Sequence, residues 1–169
     1  MSVNFSFGEE EGNKGTQTAI KFPKYMKKLT HLGLFNVWHK DFTDTLFDMA
    51  NQRLMKKLCL SFVPGVPLDG FTEALRNFYN LRHFELEHIE MKKLNYQHFF
   101  EWAEQLTFLC FTRVDLPNPC VGLMLAPTTN LRTLRLSNLK VDLTHLNDML
   151  AISPLHRVEL DQIQGIYQF

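Results

Sequence analysis

Residues 83–88 read H-F-E-L-E-H, and imidazole and carboxylate are the groups from which transition-metal sites are built. Strand alternation places His83, Glu85 and Glu87 on one face, but alternate residues of an extended strand stand about 6–7 Å apart. That spacing is wide for three groups closing on one ion, so an interface role is expected and no metal or other cofactor is assigned. Cys59 and Cys110 are the candidate nucleophiles, with Lys57 and His83 nearby in the repeat register described below. A nucleophile needs a base within hydrogen-bond reach and a group that orients the base. The sequence specifies no such arrangement, so no catalytic residue is assigned and the protein is expected not to be an enzyme; a thiol-dependent enzyme is the competing hypothesis from another class. Gly8, Gly12, Lys14 and Thr16 invite a phosphate-loop reading, but a Walker loop requires Gly-Lys adjacent and then Ser or Thr. The segment reads as a solvated acidic loop.

Eighteen Lys and Arg balance eighteen Asp and Glu, so the chain has no net field to hold a phosphate backbone or an anionic membrane. Neither nucleic acid nor membrane is expected as a partner. Three cysteines without paired spacing, no signal-peptide pattern and no long apolar run point to a reducing, cytoplasmic setting. The sequon Asn4-Phe5-Ser6 is read as chance. At 169 residues with 45% hydrophobic content, one folded domain is expected.

The elements that must position these groups are visible in N-L-R-T-L-R-L-S-N-L, residues 130–139. Counting from Leu131, apolar residues fall at positions 1, 4, 6 and 9, and the stencil recurs at intervals of 24 to 26 residues. Position 1 holds Leu29, Met55, Leu81, Leu106, Leu131 and Leu155; position 4 holds Leu32, Leu58, Phe84, Leu109, Leu134 and Val158. Position 6 holds Leu34, Leu60, Leu86, Phe111, Leu136 and Leu160, and position 9 holds Val37, Val63, Ile89, Val114, Leu139 and Ile163. Phe5 and Phe7 alternate with polar residues and would occupy positions 4 and 6 of a partial first unit. The connectors show helical spacing: Asp41 caps a segment with Phe42, Leu46 and Met49 on one face, and Pro67-Leu68-Asp69 opens one with Phe71, Leu75 and Phe78. Leu94, His98, Phe99 and Trp102 mark a third, the proline-rich stretch 117–129 predicts an irregular fourth, and residues 144–152 a fifth.

One strand and one helix per unit at this period is a solenoid signature, because neither element can bury its apolar side alone. The spacing L-x-x-L-x-L resembles the leucine-rich repeat superfamily. The resemblance implies an α/β solenoid, a horseshoe segment with parallel strands on the concave side and helices on the convex side. Six full repeats would cover residues 26–164, after a partial repeat or cap at 1–25 and before a tail at 165–169. Many members carry Asn or Cys at position 9, where the side chain bonds the loop backbone; here that column is aliphatic, so the loop groups must find other partners. The repeat length is similar to that of intracellular F-box proteins and nucleotide-binding receptors. Neither end shows an obvious polar cap, which suggests a piece of a larger protein; minimal caps at the two ends are the alternative.

In such a solenoid positions 3, 5, 7 and 8 leave the core on the strand face. They offer three phenylalanines, Phe35, Phe62 and Phe108, beside His83, Glu85, Glu87 and His88, with Arg113, Arg135 and Arg157 following. Rings beside charges are the composition of protein-interface hot spots. The expected function is therefore a non-enzymatic protein-recognition module with a protein partner. The resemblance implies the ligand-sensing or autoinhibitory repeats of an innate-immune nucleotide-binding receptor. The substrate-recognition repeats of a ubiquitin-ligase adaptor are the alternative. Partner identity and oligomeric state are left open.

Overall fold

The computed structural model describes residues 1–6, 26–37, 46, 52–62, 70–90, 103–115, 128–142, 146–147, 150–151 and 154–166. Alternating apolar positions become strands wherever the stencil falls. β1 (Ser2–Ser6), β2 (His31–Val37), β3 (Lys57–Phe62), β4 (His83–Glu90), β5 (Phe108–Asp115), β6 (Thr133–Ser137) and β8 (Arg157–Asp161) form one sheet in that order. β7 (Lys140–Asp142) and β9 (Gln164–Ile166) form a second, two-stranded one. All pairings are parallel, so the chain is a parallel-strand solenoid of stacked coils. His31, Lys57, His83, Phe108, Thr133 and Arg157 lie side by side as position 3, and Gly33, Cys59, Glu85, Cys110, Arg135 and Glu159 as position 5.

Two backbone motifs set where each strand begins. A tight turn closes onto position 1: the amides of Leu29, Met55, Leu81, Leu106 and Leu131 donate to the carbonyls of Met26, Gln52, Phe78, Ala103 and Thr128. The next carbonyl-bearing residue, position 2, then accepts two amides from the following coil. The Thr30 oxygen receives Lys56 and Lys57 at 2.7 and 3.1 Å, that of Lys56 receives Arg82 and His83, that of Arg82 receives Thr107 and Phe108, and that of Thr107 receives Arg132 and Thr133. Both lone pairs of each oxygen are engaged, which ties strand starts to one line. Side chains just before position 1 add to this: the Asn80 amide donates to the Arg53 carbonyl at 2.6 Å and that of Asn130 to the Glu104 carbonyl at 3.0 Å. A polar ladder at strand entry thus supplies inter-coil bonds that the aliphatic ninth column cannot.

The core lies behind the sheet. Positions 1, 4 and 6 are buried to within 1% from the second strand to the sixth. In β8 the same columns hold Val158 at 38% and Leu160 at 47% exposure, because a coil's apolar edge is covered only by its neighbours. Phe71, Leu75 and Phe78 are fully buried as their spacing predicts, the first two within the helix α1 (Phe71–Leu75). Leu46 and Leu146 are helical and buried at 1%. Beyond α1, helix among the described residues is limited to short 3-10 turns at Gln52–Leu54 and Ala103–Gln105 and helical positions at 46, 146–147 and 150–151. The connector at 94–102 and most of 117–129 lie outside the described residues, as does Phe7.

Two expectations need correction. β1 pairs Val3 with Leu32 and Phe5 with Leu34, so Phe5 occupies position 6, not position 4. This two-residue shift keeps the same face inward and aligns the Met1 carbonyl to accept Thr30 and His31, continuing the position-2 ladder.

The second concerns position 8. Asn36, His88, Arg113, Asn138 and Gln162 all have φ between 50 and 57°. A left-handed residue costs about 1–2 kcal/mol for a side chain other than Gly, least for Asn. Recurrence in one column marks a corner of the coil. After it, pairing resumes as Ile89 with Val114, Glu90 with Asp115, and β7 with β9. Phe62 makes no such corner: β3 continues extended, the register shifts so that Val37 pairs with Phe62, and the ring enters the core at 2% exposure. It meets Phe71 edge-on at 5.9 Å and 84°. A bulky ring gains more from burial than from a left-handed turn into solvent.

Leu134→Ala is expected to cost about 2–5 kcal/mol and Phe62→Ser at least about 3 kcal/mol, each by removing a core side chain. Phe35→Ser, on the half-buried outer face, should cost less. Thermal denaturation checks all three, and an unchanged melting temperature for Phe62→Ser would contradict its inward placement.

Candidate functional site

The outer face is made by positions 3, 5 and 7 of neighbouring strands. In a parallel sheet, residues in one column stand about 4.8 Å apart, close enough for side chains on successive strands to touch. A continuous strip results. The Lys57 ammonium donates to Glu85 Oε1 at 3.0 Å, and the His83 Nε2 hydrogen-bonds the same oxygen. The His83 ring stacks flat on Phe108, centroids 3.9 Å apart and planes within 2°. The Arg135 guanidinium lies 6.0 Å from the Phe108 centroid and its Nε donates to Glu159, whose carboxylate also pairs with Arg157 at 2.5 Å. Seven side chains on β3, β4, β5, β6 and β8 are thus linked by ion pairs, hydrogen bonds, a ring stack and a cation–π contact.

Electrostatics follow from these contacts. The His83 hydrogen bond, with Lys57 adding to it against the effect of burial, holds the Glu85 carboxyl down at about 2. Burial pulls the Lys57 pKa down, but its bonds to Glu85 and the proximity of Cys59 outweigh that and raise it. Arg135 holds Glu159 below the usual carboxylate range, and Glu159 in turn raises Arg135. Glu85, Lys57, Glu159 and Arg135 are therefore charged near neutrality. Much of the charge is paired within the strip, but Arg135 and Arg157 keep 45% and 69% of their side chains exposed at its end.

Of the ten residues expected on this face, His83, Glu85, Phe108, Arg135 and Arg157 are in the strip. Glu87, His88 and Arg113 form a separate group at the corner, where Arg113 Nη1 donates to His88 Nε2 at 2.9 Å and His88 Nδ1 stands 3.7 Å from Glu87. Phe35 is on the face but at its other end, where its ring and the Asn4 side chain lie over Gly33. A Cβ on Gly33 would fall 2.9 Å from that ring and 2.3 Å from the Asn4 oxygen, so the glycine makes room for both. Phe62 is not on the face.

Lys57 and Glu159 join the strip from outward columns 3 and 5 without being among those ten, although each is legible as a charge beside an opposite charge on the adjacent strand. The spacing estimate for His83 and Glu85 also needs revision: Cα positions two residues apart are far, yet these side chains lean together until imidazole and carboxylate bond. Cys59 and Cys110 are each only 6% exposed in column 5, on either side of Glu85. Burial first, and the Glu85 charge second, push the Cys59 thiol up to about 12; burial likewise raises Cys110.

The chain matches no family model, no curated protein and no solved structure.

The depressed Glu85 carboxyl has a signed consequence. Its unfolded value near 4.5 exceeds its folded value near 2, so between these pH values the unfolded chain binds more protons and stability falls as pH falls. Denaturant titrations from pH 6 to pH 2 should show Glu85→Gln less stable than wild type at pH 6 and the gap narrowing steadily toward pH 2. A gap independent of pH would remove the charge from this account.

Proposed function

We propose that this protein is a non-enzymatic protein-recognition module that receives a protein partner on the outer face of its sheet. The observation that carries this is the unbroken strip from Lys57 to Arg157, with the His83–Phe108 ring stack near its middle and Arg135 and Arg157 partly free at one end. Rings and arginines held in place by neighbours lose little freedom on binding, which is the composition and preorganisation of interface hot spots. Alternating charge along the strip favours a partner with a matching pattern, because an unmatched surface would desolvate ions without replacing them.

A binding role in place of a thiol-dependent one is supported by the two column-5 cysteines. Nucleophilic thiols are found in exposed settings that lower their pKa, whereas Cys59 and Cys110 are buried and raised. The position-1, -4 and -6 apolar columns support assigning the coils to the leucine-rich type, with helical connectors opposite the sheet. On that resemblance the module is the ligand-sensing or autoinhibitory repeat region of a larger cytoplasmic receptor of the innate-immune nucleotide-binding kind.

Affinity capture from cell extract followed by binding measurement on the captured partner tests the face directly. Phe108→Ser combined with Arg135→Glu should weaken binding by at least about 30-fold, the effect of losing one hot-spot contact of about 2 kcal/mol. The melting temperature should stay close to wild type. Binding at wild-type strength by a folded double variant would rule out this face.

A further inference from the structure

Cys59 on β3 and His83 and Glu85 on β4 bring one sulfur, one ring nitrogen and one carboxylate oxygen within 4.8 Å of one another. Cys59 and Glu85 are direct cross-strand partners, and His83 precedes Glu85 by two residues on the same face. The geometry points to a binding site for a zinc-class divalent cation at this junction of β3 and β4. Thiolate, imidazole and carboxylate are together a donor set for Zn²⁺, which bonds sulfur at about 2.3 Å and nitrogen or oxygen at about 2.0–2.2 Å. Tetrahedral placement at those lengths puts donor atoms about 3.3–3.6 Å apart, so the widest separation in the cluster must close by roughly 1 Å while the hydrogen-bonded His83 Nε2 and Glu85 Oε1 part to admit the ion.

Three features prepare the cluster. His83 has its ring plane set by the flat stack on Phe108, and its Nε2 already points at Glu85 Oε1. Cys59 is shielded at 6% exposure, which protects a metal–thiolate bond from water, while His83 and Glu85 remain partly accessible as an entry path. A cation is already accommodated: the Lys57 ammonium sits 3.0 Å from the same Glu85 oxygen. Lys57 is flexible and 37% exposed, so it can swing into solvent and leave its place to the ion. Binding would exchange one positive charge against Glu85 for two and release the Cys59 proton, since a coordinating thiol is deprotonated outright. Three protein donors leave the fourth place of a tetrahedral ion for water.

The lysine makes the inference sharply testable, because it competes with the metal while the other three residues hold it. Cobalt(II) added to the full chain under a non-thiol reductant should give a near-ultraviolet thiolate-to-cobalt band that saturates at one equivalent. Cys59→Ser should abolish the band and Cys110→Ser should leave it intact. His83→Ala and Glu85→Gln should each weaken binding at least about tenfold. Lys57→Met should tighten it, and wild-type affinity should rise with pH as the thiol proton is lost more easily. Circular dichroism establishes that each variant is folded. Absence of the band in folded wild type, its survival in Cys59→Ser, or weaker binding in Lys57→Met would each overturn the site. The readout is the metal itself, so it stands or falls independently of partner capture.

Discussion

Every coil of this chain must start its strand level with the one before, and the doubly accepting carbonyl at position 2 enforces that constraint. Met1, Thr30, Lys56, Arg82, Thr107 and Arg132 each offer one oxygen to two consecutive amides of the next coil. A slip by one residue would leave amides without acceptors and would also turn each strand's apolar residues outward, since side chains alternate with a period of two. The hydrophobic columns and the hydrogen-bond line therefore specify the same register by independent means. Asn80 and Asn130 reinforce it at strand entry.

The outer strip is a consequence of that register. Lys57 reaches Glu85, His83 lies on Phe108, and Arg135 reaches Glu159 because columns 3 and 5 run unshifted from β3 to β8. Opposite charges on neighbouring strands stabilise the stack modestly at the surface, and their larger effect is to hold rings and arginines in fixed positions. The same packing encloses Cys59 and Cys110, which flank Glu85 in column 5 and are kept as neutral thiols. Near the amino-terminal end the face changes character: Gly33 leaves space that Phe35 and Asn4 fill.

The apolar columns, the parallel stacking and the alignment of His31, Lys57 and His83 were legible because a strict period of apolar residues reports burial directly. The same pattern could not report backbone conformation. His88, Arg113 and Gln162 give no glycine-like signal for a left-handed corner, so Phe62 was assigned outward by analogy with its column although it does not take the left-handed turn. The register of β1 was ambiguous for a related reason: Val3, Phe5 and Phe7 offer two placements of equal parity, and the Met1 carbonyl decides between them. At the site, the members separated by a whole repeat, such as Lys57 with Glu85 and Arg135 with Glu159, become neighbours only after folding. Side-chain reach brought His83 to Glu85 where Cα spacing alone argued against it.

Residue-resolved amide hydrogen exchange tests the register most directly. The paired amides at Lys56 and Lys57, Arg82 and His83, Thr107 and Phe108, and Arg132 and Thr133 should exchange as slowly as the strand interiors they precede, because all eight donate to the position-2 line. Rapid exchange at these pairs, with protection elsewhere that ignores the 24- to 26-residue interval, would contradict the stacked-coil arrangement on which the face and its cluster depend.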